Sequence, residues 1–283
     1  MRIADDIELV KDLLDLTTSD LARATKLGTA TLERWQAGTV TPNEKSLSAF
    51  YDYAFSQGLR INEIKGQLHR EQLEARGLIA LFHGAKTSID GPLSLERSKP
   101  NNDFGRGFYC GEKLEQPAMF VAGYPDSSLY ILEFDPTGLK QKRFQVNQEW
   151  MLTVALFRGK LREFERHPSI AQLKHSVAET DYIVAPIADN RMFEIIDSFI
   201  DGEITDVQCE HCLSATNLGK QYVLVSDAAL SHARIAERCY LAPREKEFYL
   251  TMQRSASKTG SDKVKIARRQ FRGQGLYIEE ILS

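Results

Sequence analysis

Apolar positions in the first third of the chain recur at helical spacing. Ile7, Leu9, Val10, Leu13 and Leu14 form one stripe, which predicts an amphipathic helix. Thr17 and Thr18 precede Ser19-Asp20-Leu21-Ala22, an N-cap followed by an early acid. A second short element ends at Leu27, Gly28 to Trp35 follows, and after Gly38 and Pro42 a helix carries Leu47, Phe50, Tyr51 and Ala54. Residues 58–78 are polar, with Leu68 and Leu73 far apart, and read as a linking helix with Gly77 at its exit. The pattern then changes to short apolar runs at Leu78–His83, Phe108–Gly111 and Leu129–Phe134, separated by Pro92, Pro100, Pro125 and Pro136. Helical patches at Glu115–Ala122 and Met192–Ile200 interrupt them. This mixture predicts an α+β fold and not an alternating parallel sheet. The expected division is an all-α domain over 1–68, a linker helix over 69–77, and a second domain over 78–283.

Composition adds limits. A chain of 283 residues has room for two cores, since single cores rarely grow beyond about 250 residues. No apolar run approaches the ~20 residues of a membrane span, and the acidic N-terminus is unlike a signal peptide, so the expected location is cytoplasmic with no membrane partner. The four cysteines, Cys110, Cys209, Cys212 and Cys239, do not form the dense pattern of a secreted domain. Cys209-Glu210-His211-Cys212 has ligand spacing, but a structural zinc site needs a second pair. Cysteine at apolar positions of a helix is the preferred reading, and no metal is expected.

Charge is unevenly distributed. Residues 1–70 hold nine Lys/Arg against ten Asp/Glu, whereas residues 234–272 hold eleven Lys/Arg against four acids in a chain of net charge −3. The first segment lacks a basic footprint for nucleic acid. The second could attract nucleic acid or an acidic protein surface. Within it Lys263–Arg272 reads as a basic helix with Val264, Ile266, Ala267 and Phe271 at apolar positions, followed by Gly275–Ile278 docking back on the body.

Candidate chemistry lies in three stretches. Asn102-Asp103-Phe104-Gly105-Arg106-Gly107-Phe108-Tyr109-Cys110 places two glycines two residues apart, where the backbone can approach something bulky. It is not a Rossmann fingerprint, because Cys110 takes the third glycine slot and no long helix pattern follows. Leu81-Phe82-His83-Gly84-Ala85 is an apolar strand ending in His-Gly, and Lys220-Gln221-Tyr222-Val223-Leu224-Val225 is a strand opening with a polar residue.

Taken in order, these stretches resemble the ADP-ribosyltransferase superfamily over about residues 78–240, in its poly(ADP-ribose)-polymerase-like branch, whose triad is His, Tyr and usually Glu. With Asp181–Asn190 included, the segment looks like an uncharacterised bacterial family within that branch. The resemblance implies a split antiparallel β-sheet and NAD as substrate. It implies that His83 bonds the adenosine ribose, the Gly84 backbone holds the nicotinamide amide, and Tyr109 stacks on nicotinamide, with Asp103, Gly105, Gly107 and Phe108 around the dinucleotide. The triad Glu is replaced by Gln221, which can position a hydroxyl but supplies no charge and no base. Three explanations stand side by side: another carboxylate acts, Asp189 first and Asp103 second; the acceptor needs little activation; or the domain binds NAD without turnover. Polymer extension is not expected, so the activity implied is mono-ADP-ribosyl transfer.

Leu21-Ala22, Thr31-Leu32-x-x-Trp35, Gly38 and Pro42 resemble the lambda-repressor-like helix-turn-helix family. That resemblance implies a second helix from about Thr18 and a recognition helix over Thr29–Gln36. Thr29, Ala30, Glu33 and Arg34 would then face a DNA major groove, with Thr18 near a phosphate. The combination suggests a toxin or phage-defence effector that modifies nucleic acid or protein, its front controlling its own expression or receiving an antitoxin protein. The rival expectations are a transcription regulator that senses NAD or ADP-ribose without catalysis, and a purely structural interaction protein.

Overall fold

The fold is described from a computed structural model over residues 2–188, 190–215 and 219–283. Helices α1 (Ile3–Leu14), α2 (Thr18–Thr25), α3 (Thr29–Gln36), α4 (Glu44–Ser56) and α5 (Ile61–Glu74) come first. Thr17 caps α2 in a capping box with Asp20, and Asn43 caps α4 through Ser46 N–H. These caps fix the starts that the local sequence predicts. Ile7, Val10, Leu21, Leu32, Trp35, Phe50 and Ala54 form their common core.

The chain continues through β1 (Ile79–Ala85), β2 (Phe108–Gly111), α6 (Glu115–Val121), β3 (Ser128–Phe134), β4 (Gln141–Arg143), α7 (Gln148–Phe157), a 3-10 turn (Arg162–Phe164), α8 (Pro168–Ala178) and β5 (Tyr182–Pro186). It ends with α9 (Asn190–Ile200), α10 (Asp206–Ser214), β6 (Lys220–Leu224), α11 (Asp227–Ser231), β7 (Ala233–Cys239), α12 (Pro243–Gln270) and α13 (Ile278–Ile281). The architecture is α+β. One seven-stranded sheet has the order β4-β5-β6-β2-β1-β3-β7.

The sheet is mixed where the resemblance implies an antiparallel one: five of the pairings among the described residues are antiparallel, but β4 and β5 are parallel, Gln141 opposite Tyr182. Helices α7 and α8 lie between these strands, and a helical crossover returns the chain in the same direction. Nor is it two separate sheets, although one seam nearly divides it. Strands β1 and β3 pair along seven positions, from Ile79↔Phe134 to Ala85↔Ser128. Strands β1 and β2 meet at one position, Phe82↔Gly111. Beyond it they part.

Alternation along the strands separates two cores. On one face Phe82, Leu129 and Ile131 pack with Ala118 and Val121 of α6 and Tyr249 of α12. Further along the same face Ile183, Ala185 and Val223 pack with Trp150, Phe199, Cys209 and Cys212. The opposite face carries Leu81, Phe108, Cys110, Tyr130, Leu132 and Leu224, covered by Ile89, Leu93 and Leu95. All four cysteines are buried. Cys209 and Cys212 pack as small side chains in the core around Trp150, their thiols donating weakly to Ile195 O at 3.7 Å and Val264 O at 3.8 Å. Among the described residues no helix is long and apolar enough to cross a membrane.

The basic C-terminal segment is more extensive than its local pattern predicts. The predicted helix at Lys263–Arg272 is the end of α12, whose first turns bury Glu245 and Tyr249. Val264, Ala267 and Phe271 pack on the body as expected, but Ile266 is 64% exposed. Ile278 is buried, and Leu276 N–H donates to Asp206 Oδ1 at 2.8 Å, so the terminus does dock back.

The helical front is bolted to this body. Tyr240 and Ala242 complete its core. Lys65, on α5, pairs with Asp6 Oδ1 at 2.8 Å and also with Glu237 of β7, which His69 Nε2 approaches at 3.3 Å. Asn62 Nδ2 donates to Tyr240 O and to Glu245 Oε2, both at 2.8 Å.

Candidate active site

The β1/β2 seam is closed by a side chain. His83 Nδ1 lies 2.7 Å from Tyr109 O. A carbonyl oxygen only accepts, so Nδ1 carries the proton and donates. The imidazole stacks on Phe108, with centroids 4.2 Å apart and planes at 25°. Burial pushes the His83 pKa down from its ordinary value, partly opposed by the bond to Tyr109. Burial thus favours the neutral ring, in which Nε2, bonding none of the described residues, is an acceptor. Gly84 follows because α6 presses on it: a Cβ there would stand 2.7 Å from Pro117 O.

On the other face of β2, Tyr109 turns away from His83. Its hydroxyl donates to Gly105 O at 2.9 Å and accepts from Phe104 N–H at 3.1 Å. Burial, reinforced by Asp103, pushes its pKa up. The phenol ties the loop before β2 to the strand. The glycines serve this loop: Gly105 has φ +74° and a Cβ there would meet Phe157 at 3.0 Å, while one on Gly107 would meet Val223 at 2.6 Å. The bulky neighbours of this loop are thus side chains of the protein itself.

The loop delivers Asp103, which is 7% exposed, to Gln221 on β6. Gln221 Nε2 donates to Asp103 Oδ2 at 3.1 Å and to Pro186 O at 3.0 Å. Both partners are acceptors, so the amide orientation is fixed by chemistry and Oε1 is left as the free acceptor. Arg158, at the end of α7, approaches Asp103 Oδ1 at 3.4 Å and lies over the Phe193 ring, 3.5 Å from its centroid. Burial pushes the Asp103 pKa up, while Gln221 and Arg158 oppose it.

The structure thus joins Asp103, Gln221 and Tyr109 on one face of the sheet and His83 with Phe108 on the other, meeting at the Tyr109 carbonyl. Asp189 lies outside the described residues. Arg158 and Phe193 have no local sequence signal: one terminates an apolar helix and the other sits within one. In the helical front, Thr18 and Thr29 open α2 and α3 and are half-buried, while Ala30, Glu33 and Arg34 are exposed. Arg34 Nε donates back to Ala30 O at 3.0 Å.

With this geometry in view, comparison with known proteins gives one finding. Residues 79–234, more than half of the chain, match the family model described as Protein of unknown function (DUF3990). The chain belongs to the DUF3990 family. No curated protein and no solved structure matches it. The DUF3990 segment contains His83, Asp103, Tyr109, Arg158 and Gln221. Helices α1–α5 precede it, and Glu237 and α12 follow it.

Proposed function

We propose that the DUF3990 segment takes NAD as substrate and transfers its ADP-ribose to a macromolecule, in the manner of an ADP-ribosyltransferase. The observation that carries this reading is the orientation of Gln221. With both amide hydrogens committed to Asp103 and Pro186 O, Oε1 offers a ribose hydroxyl the acceptor that a glutamate would. The missing charge is then supplied by Asp103, which Gln221 holds in place. In the reaction the bond from the ribose carbon to nicotinamide breaks, and its electron pair leaves with nicotinamide. Positive charge develops on the ribose, and a nearby carboxylate stabilises it. The acceptor nucleophile then bonds to that carbon and releases its proton. His83, in its neutral form with Nε2 as acceptor, is suited to bonding a ribose hydroxyl at the seam. The helical front fits a regulatory role through the outward residues of α3, with operator DNA or an antitoxin protein as the partner.

A second reading is favoured by the Arg158 pair. That guanidinium offsets the Asp103 charge, and such a site suits a sensor that binds NAD or ADP-ribose without turnover. Labelled NAD incubated with cellular protein, RNA and DNA distinguishes them. Label on one macromolecular class, lost in folded Gln221→Ala and Asp103→Asn variants, is the expected result. NAD binding without transfer selects the sensor, and absence of binding removes both readings.

A further inference from the structure

A run of like charge lies outside the site. From Arg254 to Arg272 there are seven Lys/Arg and one acid, Asp262. Helix α12 carries this stretch, its second half packed on the body through Val264, Ala267 and Phe271. Residues 253–259 are all exposed, so the helix spans between its two packed ends as a strap. Arg191 anchors the middle, its guanidinium donating to Ser257 Oγ at 2.8 Å.

Arg254, Lys258, Lys265 and Arg269 follow one another at spacings of four, seven and four. At ~100° per residue these spacings keep them within about 60° of one another. Gly260 and Ala267, which are buried, face away from that stripe. Arg254, Lys258 and Arg269 have no ion pair or hydrogen bond among the described residues, and Lys265 has only the exposed Asp262 at 3.9 Å. The four cations extend along about 22 Å of helix. Unpaired, exposed cations in a row are energetically unfavourable to one another, and a polyanion relieves that repulsion.

We propose that this stripe is a nucleic-acid-binding surface that contacts the phosphate backbone. Phosphates are bound by Arg and Lys, with Ser and Thr assisting, and Ser255, Ser257, Thr259 and Ser261 are interspersed here. A protein interface needs large apolar or aromatic anchors and is depleted in Lys. The helix offers one exposed large hydrophobic side chain, Ile266. Only the further statement that this nucleic acid is the acceptor of ADP-ribose rests on the activity proposed above.

The test uses the full chain, labelled single- and double-stranded oligonucleotides of about 20 nucleotides, and polyglutamate as the acidic-protein probe. Four phosphate contacts give log K against log [salt] a slope of about −3 for single strands and somewhat steeper for duplex. The combined Arg254→Gln, Lys258→Gln, Lys265→Gln and Arg269→Gln variant, all at exposed positions, is expected to melt as the parent does and to lose that slope. Binding that survives in this variant overturns the proposal, as does no binding at about 50 mM salt. Equal affinity for polyglutamate overturns the assignment to nucleic acid. None of these measurements involves NAD, so they fail or succeed independently of the transfer assay.

Discussion

Two residues show how far single side chains depart from their ordinary chemistry here. Glu245 Oε1 and Asn62 Oδ1 are buried acceptors without partners, in two planar groups already joined by the Asn62 Nδ2 to Glu245 Oε2 bond. A proton on Glu245 removes the cost of a buried charge with an unpartnered oxygen. Burial pushes the Glu245 pKa up to about 8; Glu63 and Asp52 add to the rise, while Asn62 and Arg60 oppose it. A carboxyl raised in the folded state binds more protons folded than unfolded between its two pKa values. Stability from this residue is therefore full below its ordinary value near 4.5, falls as pH rises, and is gone above about 8. Glu245→Gln, which keeps a donor in place, is expected to flatten the thermal-melt profile across that window. An unchanged profile would show that Glu245 is ionised. Gln221→Glu gives a second prediction. It removes both donors and sets a second carboxylate against Asp103, costing roughly 1–3 kcal/mol in urea unfolding. Adding Asp103→Asn is expected to recover most of that loss.

At the level of elements, the seam depends on α6 lying flat against β1. Gly84→Ala would place a methyl 2.7 Å from Pro117 O and 2.8 Å from Val121 Cγ1. Since the first obstacle is backbone, α6 must shift, at a cost of roughly 1–3 kcal/mol. Chemical denaturation measures this, and an unchanged midpoint would mean that α6 moves freely. Elements with local signals were legible in the sequence. Thr17 and Gly28 mark the starts of α2 and α3, and the apolar runs ending at His83 and opening at Phe108 are β1 and β2. The partners across the sheet were not legible. Asp103 and Gln221 are 118 residues apart, and nothing near either one specifies the other. The burial of α5 was not legible in its polar stretch for a physical reason: Asn62 and Lys65 are buried among polar partners, and a buried polar face has the same pattern as a solvated one.

At the scale of the whole molecule, the Asp6–Lys65–Glu237 cluster is one of the joints between the helical front and the sheet. Burial would raise the Glu237 pKa, but His69 and Lys65 outweigh it and bring the group to about 2. Its charge, and the stability it contributes, persists until pH falls from the ordinary carboxylate range toward that value. Lys65→Met leaves two buried carboxylates facing each other, and removing one partner of such a pair costs roughly 3–5 kcal/mol. Calorimetry is expected to show one unfolding transition in the parent protein, with front and sheet melting together. Two transitions would mean that the cluster does not couple them.

The boundaries of that cluster bear on how such a chain is inherited. The DUF3990 match ends at residue 234, three residues before Glu237, and Tyr240 and Glu245 lie further on. Part of the docking surface for the helical front is thus in the tail, outside the family segment, while Arg70 donates to Glu112 O and Leu73 packs on Phe82 within it. A recombination event that exchanges the front alone would strand Glu237 and Glu245 without Lys65 and Asn62. Front and tail are therefore matched surfaces, and a new front would have to fit both the tail and the part of the segment that receives α5.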